Sequence, residues 1–523
     1  MKNEKLTSVI KILCKVFFVG LILQFFLQTF VTYKLNLSGW IWNAIRMRKE
    51  MILLVLCGCL IYTLIAQIPS YLQEMKKESK SLTFKTFFSY FRKERLFQFV
   101  ILLIGVSSLC MVIAFLLQHA SIKAFVLSFK YDLLPLRILG LGMGLGYFYF
   151  TEKDQELILF YRKLIKVVLF WGLFWWMILY FIPQTLRHLG YSPYNPEGLI
   201  GQAPPAAYYT NIYPHFENSY VRNSFLFERP ITFGFWLIAF FPFFFFGFLK
   251  GKKKKSQIFY CLLYGALVFS TWSRAALGVR GLEVIAVLVI LNWEILKKHM
   301  IKILIGCLIL GMGCCYLGKW IFARDYSNTG HIILIVEGRK LAKEKLFSWR
   351  WIWYSGPASH QLCYRETEEP DMNPLEMTFS EIHPDPRCET IRNINNQYDI
   401  KTFGYNPENQ YLQILMEYGI LWLIAWGLCF VWILWYAFRT WKKYHMYSMN
   451  KKQEVLYLSI IGLGLGLLWL CAEGVVLHSL VDRMVVYPFF LLYGVIMGMR
   501  EKERTHLVFV PQKEKEYKKK KKA

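Results

Sequence analysis

The feature that most restricts this chain is the recurrence of apolar runs near the length that carries a helix across a bilayer, about 20 residues. Such runs recur near 9–33, 51–68, 96–117, 131–150, 164–182, 231–249, 257–272, 281–296, 303–322, 411–437, 454–472 and 484–498. Hydrocarbon offers no water to bond a bare amide, so each run must satisfy its own backbone as a helix. The expected fold class is an all-α integral membrane protein with about 12 transmembrane helices. Composition agrees, at 55% hydrophobic and 18% aromatic. The first run is longer than a signal-peptide apolar region and no small-x-small cleavage pattern follows it, so it is expected to be a retained span.

A formal charge of +27 would suit a nucleic-acid binder only if the basic residues gathered on a soluble face. Here they are scattered between apolar runs, and no nucleic-acid partner is expected. The last 24 residues carry ten Lys/Arg and end in Lys518 to Lys522, which reads as a solvated basic tail (499–523) near anionic lipid. Short polar segments such as Lys250-Gly251-Lys252-Lys253-Lys254-Lys255 are cytoplasmic by the positive-inside rule, which gives an N-in, C-in orientation. The chain then divides into spans one to nine (1–322), a large extracytoplasmic loop (323–410) between the ninth and tenth spans, spans ten to twelve (411–498) and the tail.

Loop 323–410 is nearly neutral, has helical spacing from His331 to Phe347, and is acidic and Pro-rich from Glu366 to Pro386. A second outer loop, 183–230, is rich in Pro, Tyr and Asn and too long to be a mere connector. Of the 12 cysteines, only Cys363 and Cys388 lie away from apolar runs, both in the large loop. They either pair on the oxidising face or remain free thiols. The glycine runs Gly140-Leu-Gly142-Met-Gly144-Leu-Gly146 and Gly462-Leu-Gly464-Leu-Gly466 look like phosphate loops but lie inside spans, where close helix packing explains them better.

No metal-site spacing is visible: the ten His are dispersed, and there is no HExxH or Cys-x-x-Cys. No metal or cofactor is expected. What remains is arginine and carboxylate at the outer face. Arg274, in Thr271-Trp272-Ser273-Arg274-Ala275, is either a snorkelling side chain or an anion ligand. Arg222 and Arg229 lead into the sixth span, and Arg339 lies on the helical part of the large loop. A planar guanidinium fork is suited to a diphosphate. Glu408 precedes the tenth span. It is either a helix N-terminal acid, with Asn406 as cap, or a carboxylate at the rim of an apolar cavity acting as general base.

Three places resemble the bacterial O-antigen ligase and polymerase superfamily. They are Arg222 to Phe235 before a span, Ser273-Arg274-Ala275, and Pro407-Glu408-Asn409-Gln410-Tyr411-Leu412-Gln413 followed by Glu417-Tyr418-Gly419-Ile420. Ligases of this family usually carry His where this chain has Glu408, which leans toward a polymerase. The resemblance implies a membrane glycosyltransferase of the multispan, lipid-phosphate-sugar type in the bacterial cytoplasmic membrane. Its substrates would be undecaprenyl-diphosphate-linked oligosaccharides, with a flippase and a chain-length regulator as candidate partners. Glu408 and Arg274 would be catalytic. Arg222, Arg229, Arg339, Asn409 and Tyr411 would bind substrate. The alternatives are a ligase that moves finished glycan to another acceptor, and a twelve-span transporter. A transporter should carry ionisable residues near the midplane and repeated halves, and few such residues are expected here.

Overall fold

The computed structural model describes residues 2–31, 35, 40–77, 133–151, 155–182, 192–194, 208–212, 222–227, 229–249, 254–291, 335–336, 339, 343, 390–392, 399–401, 409–446, 449–475, 479–480 and 482–504. The expected spans 96–117 and 303–322, and nearly all of loop 323–410 with Glu408, Cys363 and Cys388, lie outside these residues.

The described elements are α1 (Lys2–Ile22), α2 (Gln24–Thr29), α3 (Trp40–Lys77), α4 (Leu134–Tyr149), α5 (Glu156–Phe181), β1 (Ser192–Tyr194), β2 (Tyr208–Ile212), α6 (Pro230–Leu249), α7 (Lys254–Ser270), α8 (Arg274–Leu291), β3 (Thr390–Arg392), β4 (Asp399–Lys401), α9 (Gln410–Met446), α10 (Lys451–Glu473) and α11 (Arg483–Arg504). The chain is a helical membrane protein. Among the described residues, four helices are long and apolar enough to cross a bilayer, over Met47–Ala66, Trp422–Tyr444, Lys451–Glu473 and Arg483–Lys502. Between the helices, the described loop residues carry four short strands. β1 pairs parallel with β2, and β3 pairs antiparallel with β4 through Ile391 opposite Ile400.

Helix α6 is apolar on every side, and such a helix belongs inside a bundle. Phe233, Trp236, Phe240, Phe243 and Phe244 are all fully buried. Lipid tails are as apolar as these rings, so association rests on tight packing rather than on escape from water. The glycine runs supply that tightness. A Cβ on Gly462 or Gly466 of α10 would strike the backbone of Phe243 or Ala239 in α6, and one on Gly142 or Gly146 of α4 would strike Leu491 or Val495 in α11. In return, Gly494 and Gly498 of α11 press on the backbone of Leu139 and Met143. The phosphate-loop pattern is a pair of small-xxx-small helix contacts. Large apolar side chains such as Val167, Phe170, Trp171, Phe174 and Met177 on α5, and Ile424, Leu428, Val431 and Trp435 on α9, face outward as a lipid surface would require.

The run 411–437 is not one uninterrupted helix. Gly419 has φ 78° and ψ 178°, backbone space that is essentially glycine's alone. A short arm, residues 410–418, therefore precedes the apolar span that starts at Trp422. Gly419→Ala should cost roughly 1–3 kcal/mol, and the thermal midpoint of the purified protein should fall. An unchanged midpoint would mean that the arm and the span can join as one straight helix.

Candidate functional site

Helix ends gather at one end of the bundle: the starts of α6, α8, α9 and α11 and the finishes of α7 and α10. Hydrogen bonds fix this gathering. The Thr232 hydroxyl of α6 donates to Asp482 Oδ2 (2.5 Å) before α11, and the Gln410 amide of α9 donates to the Gly474 carbonyl (2.9 Å) after α10. The opposite end is tied by Tyr444 to Glu454 (2.9 Å) and Tyr436 to Glu501 (2.9 Å).

The segment leading into α6 is laid onto the turn between α7 and α8. Arg222 is buried, and its Nε donates to the Thr271 carbonyl at 2.8 Å. Asn223 does more to hold the junction. Its backbone N–H donates to the Ser270 carbonyl (2.8 Å), its Nδ2 to the Gly172 carbonyl (3.1 Å) and to Ser270 Oγ (3.0 Å), and its Oδ1 accepts the Phe225 amide (2.9 Å). A fully buried asparagine must fill its bonding capacity, and here it does so by joining three chain segments. Sequence reasoning missed Asn223 as a site residue, although a short amide just ahead of an apolar helix was a visible signal. Its neighbours are strained. Phe225 and Trp272 both adopt φ 50°, a left-handed conformation that bulky residues rarely enter and that costs about 1–3 kcal/mol each.

That turn launches Arg274. Ser273 caps α8, its Oγ accepting the Ala276 amide at 3.4 Å, so Arg274 is the first helical residue. A basic residue at the start of a helix adds to the positive end of the dipole instead of offsetting it, and the two together favour an anion. Arg222 and Arg274 are thus brought to one turn by the Arg222–Thr271 bond. Arg229 is exposed just ahead of α6, and Arg339 is exposed on its own helical fragment.

The start of α9 is held against the end of α10. Asn409 Oδ1 accepts the Leu412 amide (2.9 Å), so Asn409 and not Asn406 is the cap, because only an oxygen three residues ahead reaches that N–H. Asn409 Nδ2 donates to the Val475 carbonyl (2.7 Å), Gln410 Oε1 accepts the Leu480 amide (2.9 Å), and the Tyr411 hydroxyl donates to the Cys471 carbonyl (2.5 Å). The described polar groups of Asn409 and Tyr411 therefore serve this junction. Glu408, the residue before the cap in sequence, lies outside the described residues.

Ionisable side chains inside the bundle are more numerous than the apolar runs suggested. Arg280 and Glu283 of α8 form a buried ion pair at 3.0 Å, with the guanidinium 3.3 Å from the Phe241 ring centroid. Arg162 donates to Ser459 Oγ (2.9 Å) against Phe243, and Arg500 donates to Thr440 Oγ1 (2.7 Å) between Tyr436 and Tyr457. Glu473 differs from all of these. It ends α10 at 1% exposure, and neither carboxylate oxygen has a hydrogen-bond partner among the described residues. Sequence reasoning missed it as well, although a single acid closing an uncharged run was there to read. Among the described residues no three His, Cys, Asp or Glu side chains gather as a metal cage. No protein-family model, curated protein or solved structure matches this chain.

Proposed function

We propose that this protein polymerises undecaprenyl-diphosphate-linked oligosaccharide repeats into surface polysaccharide at the outer face of the bacterial cytoplasmic membrane. The observation that carries the reading is the junction at Thr271. Two arginine-bearing segments meet there, at the bundle end where the short arm of α9 begins. An anion site of helix end and guanidinium, beside outward-facing apolar helices, suits a diphosphate whose polyprenyl tail stays in lipid. The motif resemblance supplies the sugar chemistry. In this reading twelve spans run N-in and C-in, the arginines hold the leaving diphosphate, and a carboxylate takes the proton of the attacking sugar hydroxyl.

Deleting the gene and separating surface glycan by size tests the reading. Single repeats in place of polymer support it, and full-length glycan left unattached favours a ligase. Glycan unchanged in length and attachment overturns both and favours a transporter, for which the buried Arg280–Glu283 pair is the relevant feature. Orientation has its own test. A reporter active only outside the cytoplasm should be active when fused after Glu381 and silent after Lys254. The reverse pattern would remove the outer-face site.

A further inference from the structure

Glu473 stands in the place least suited to a structural acid. It ends a helix, where the macrodipole disfavours negative charge. It is buried, whereas the buried arginines and Glu283 all have a partner within the bundle. A buried polar group without a partner is retained when a ligand, a water or a reaction uses it. The backbone around it is firmly placed: Tyr411 bonds to Cys471, Gln410 to Gly474 and Asn409 to Val475. Gln410 and Tyr411 lie on the arm that ends at Gly419 and Asn409 is its cap, so the turn at 473–475 is held by that arm.

We propose that Glu473 is a catalytic residue that receives the proton of the acceptor sugar hydroxyl, an inference that rests on the polymerase reading above. Two acceptor oxygens with no donor among the described residues call for a ligand that brings O–H donors, and a glycan does. In the step, the acceptor oxygen bonds to the donor's anomeric carbon while the bond from that carbon to the carrier's diphosphate oxygen breaks. The bonding pair leaves with the diphosphate, which the arginines stabilise. The hydroxyl proton passes to a Glu473 carboxylate oxygen and from there to water. Glu408, three residues before Tyr411 in sequence, is the competing carboxylate.

The test uses the full-length protein, restored to a deletion strain as wild type, Glu473→Gln or Glu473→Leu. Removing an unpaired buried carboxyl relieves a cost of burial, so both variants should accumulate with a thermal midpoint at or above that of wild type. Polymer formation should nevertheless fall by about a hundredfold or more, the usual scale for loss of a general base. What activity Glu473→Gln retains should lose the limb of the pH–rate profile that rises from acid. Wild-type polymer from either variant overturns the proposal. So does a fall in thermal midpoint and protein level that accounts for the lost polymer, which would make Glu473 structural. Polymer made by Glu473→Leu but not by Arg274→Ala overturns this proposal alone, whereas glycan unchanged by deletion of the gene overturns the polymerase reading as well.

Discussion

Arg274→Ala is expected to lower turnover of lipid-linked repeats by about a hundredfold or more, as loss of one donor aimed at developing charge typically does. The protein should still fold. Arg274 is the first residue of α8, Ser273 supplies the cap, and alanine is the better helix former. Arg274→Lys should recover only part of the loss, because an ammonium restores the charge without the planar fork. Glu408→Gln separates the two readings of that residue. As a base, Glu408 cannot be replaced by an amide, and unpolymerised repeats accumulate; as a helix-end acid, it can be, and activity survives. The measurements are the length distribution of surface glycan and the rate of polymer formation in membranes, both scaled to protein amount. Full-length polymer from a stably expressed Arg274→Ala, Glu408→Gln double variant would remove the site.

The second large effect is on folding. Gly146→Leu and Gly498→Leu each place a side chain where the facing helix already has backbone, at Val495 and Met143 respectively. Overpacking of this kind costs roughly 1–3 kcal/mol per site, and a leucine here can be accommodated only by moving α4 and α11 apart. Combining the two should lower the thermal midpoint sharply and deplete the protein in the membrane. Because the sites share one interface, their effects should not simply add. Gly265 and Gly427 provide the control, since a Cβ on either meets nothing within 4 Å. Gly427→Ala should leave the midpoint unchanged or raise it through helix propensity, by up to about 1 kcal/mol. Equal losses at Gly146 and Gly427 would contradict the packing described for α4 and α11.

Much of the architecture was legible in the chain itself, for a local reason. A backbone in hydrocarbon must bond to itself, so an apolar run of the right length specifies a helix whatever its neighbours are. That is why the runs from 131–150 to 484–498 that fall on described residues coincide with helices, and why glycines four apart inside them had to be contact surfaces rather than phosphate loops. The residues themselves also marked the arginine-bearing turn, since Arg274 follows a cap-forming serine at the end of an apolar run.

What the residues alone could not decide depends on partners distant in sequence. Asn409 rather than Asn406 caps α9 because Val475, 66 residues away, holds its amide in place. The span begins after Gly419 because the arm before it is tied to the end of α10, a constraint that overrides the continuous apolar pattern from 411 to 437. Arg222 meets the turn before Arg274 only because Asn223 is bonded across to Ser270 and Gly172. Glu473 reads as one acid at the end of a span. Its burial and its lack of a partner among the described residues exist only once α9 and α10 are packed together, because burial and hydrogen bonding belong to the assembled helices and not to any one of them.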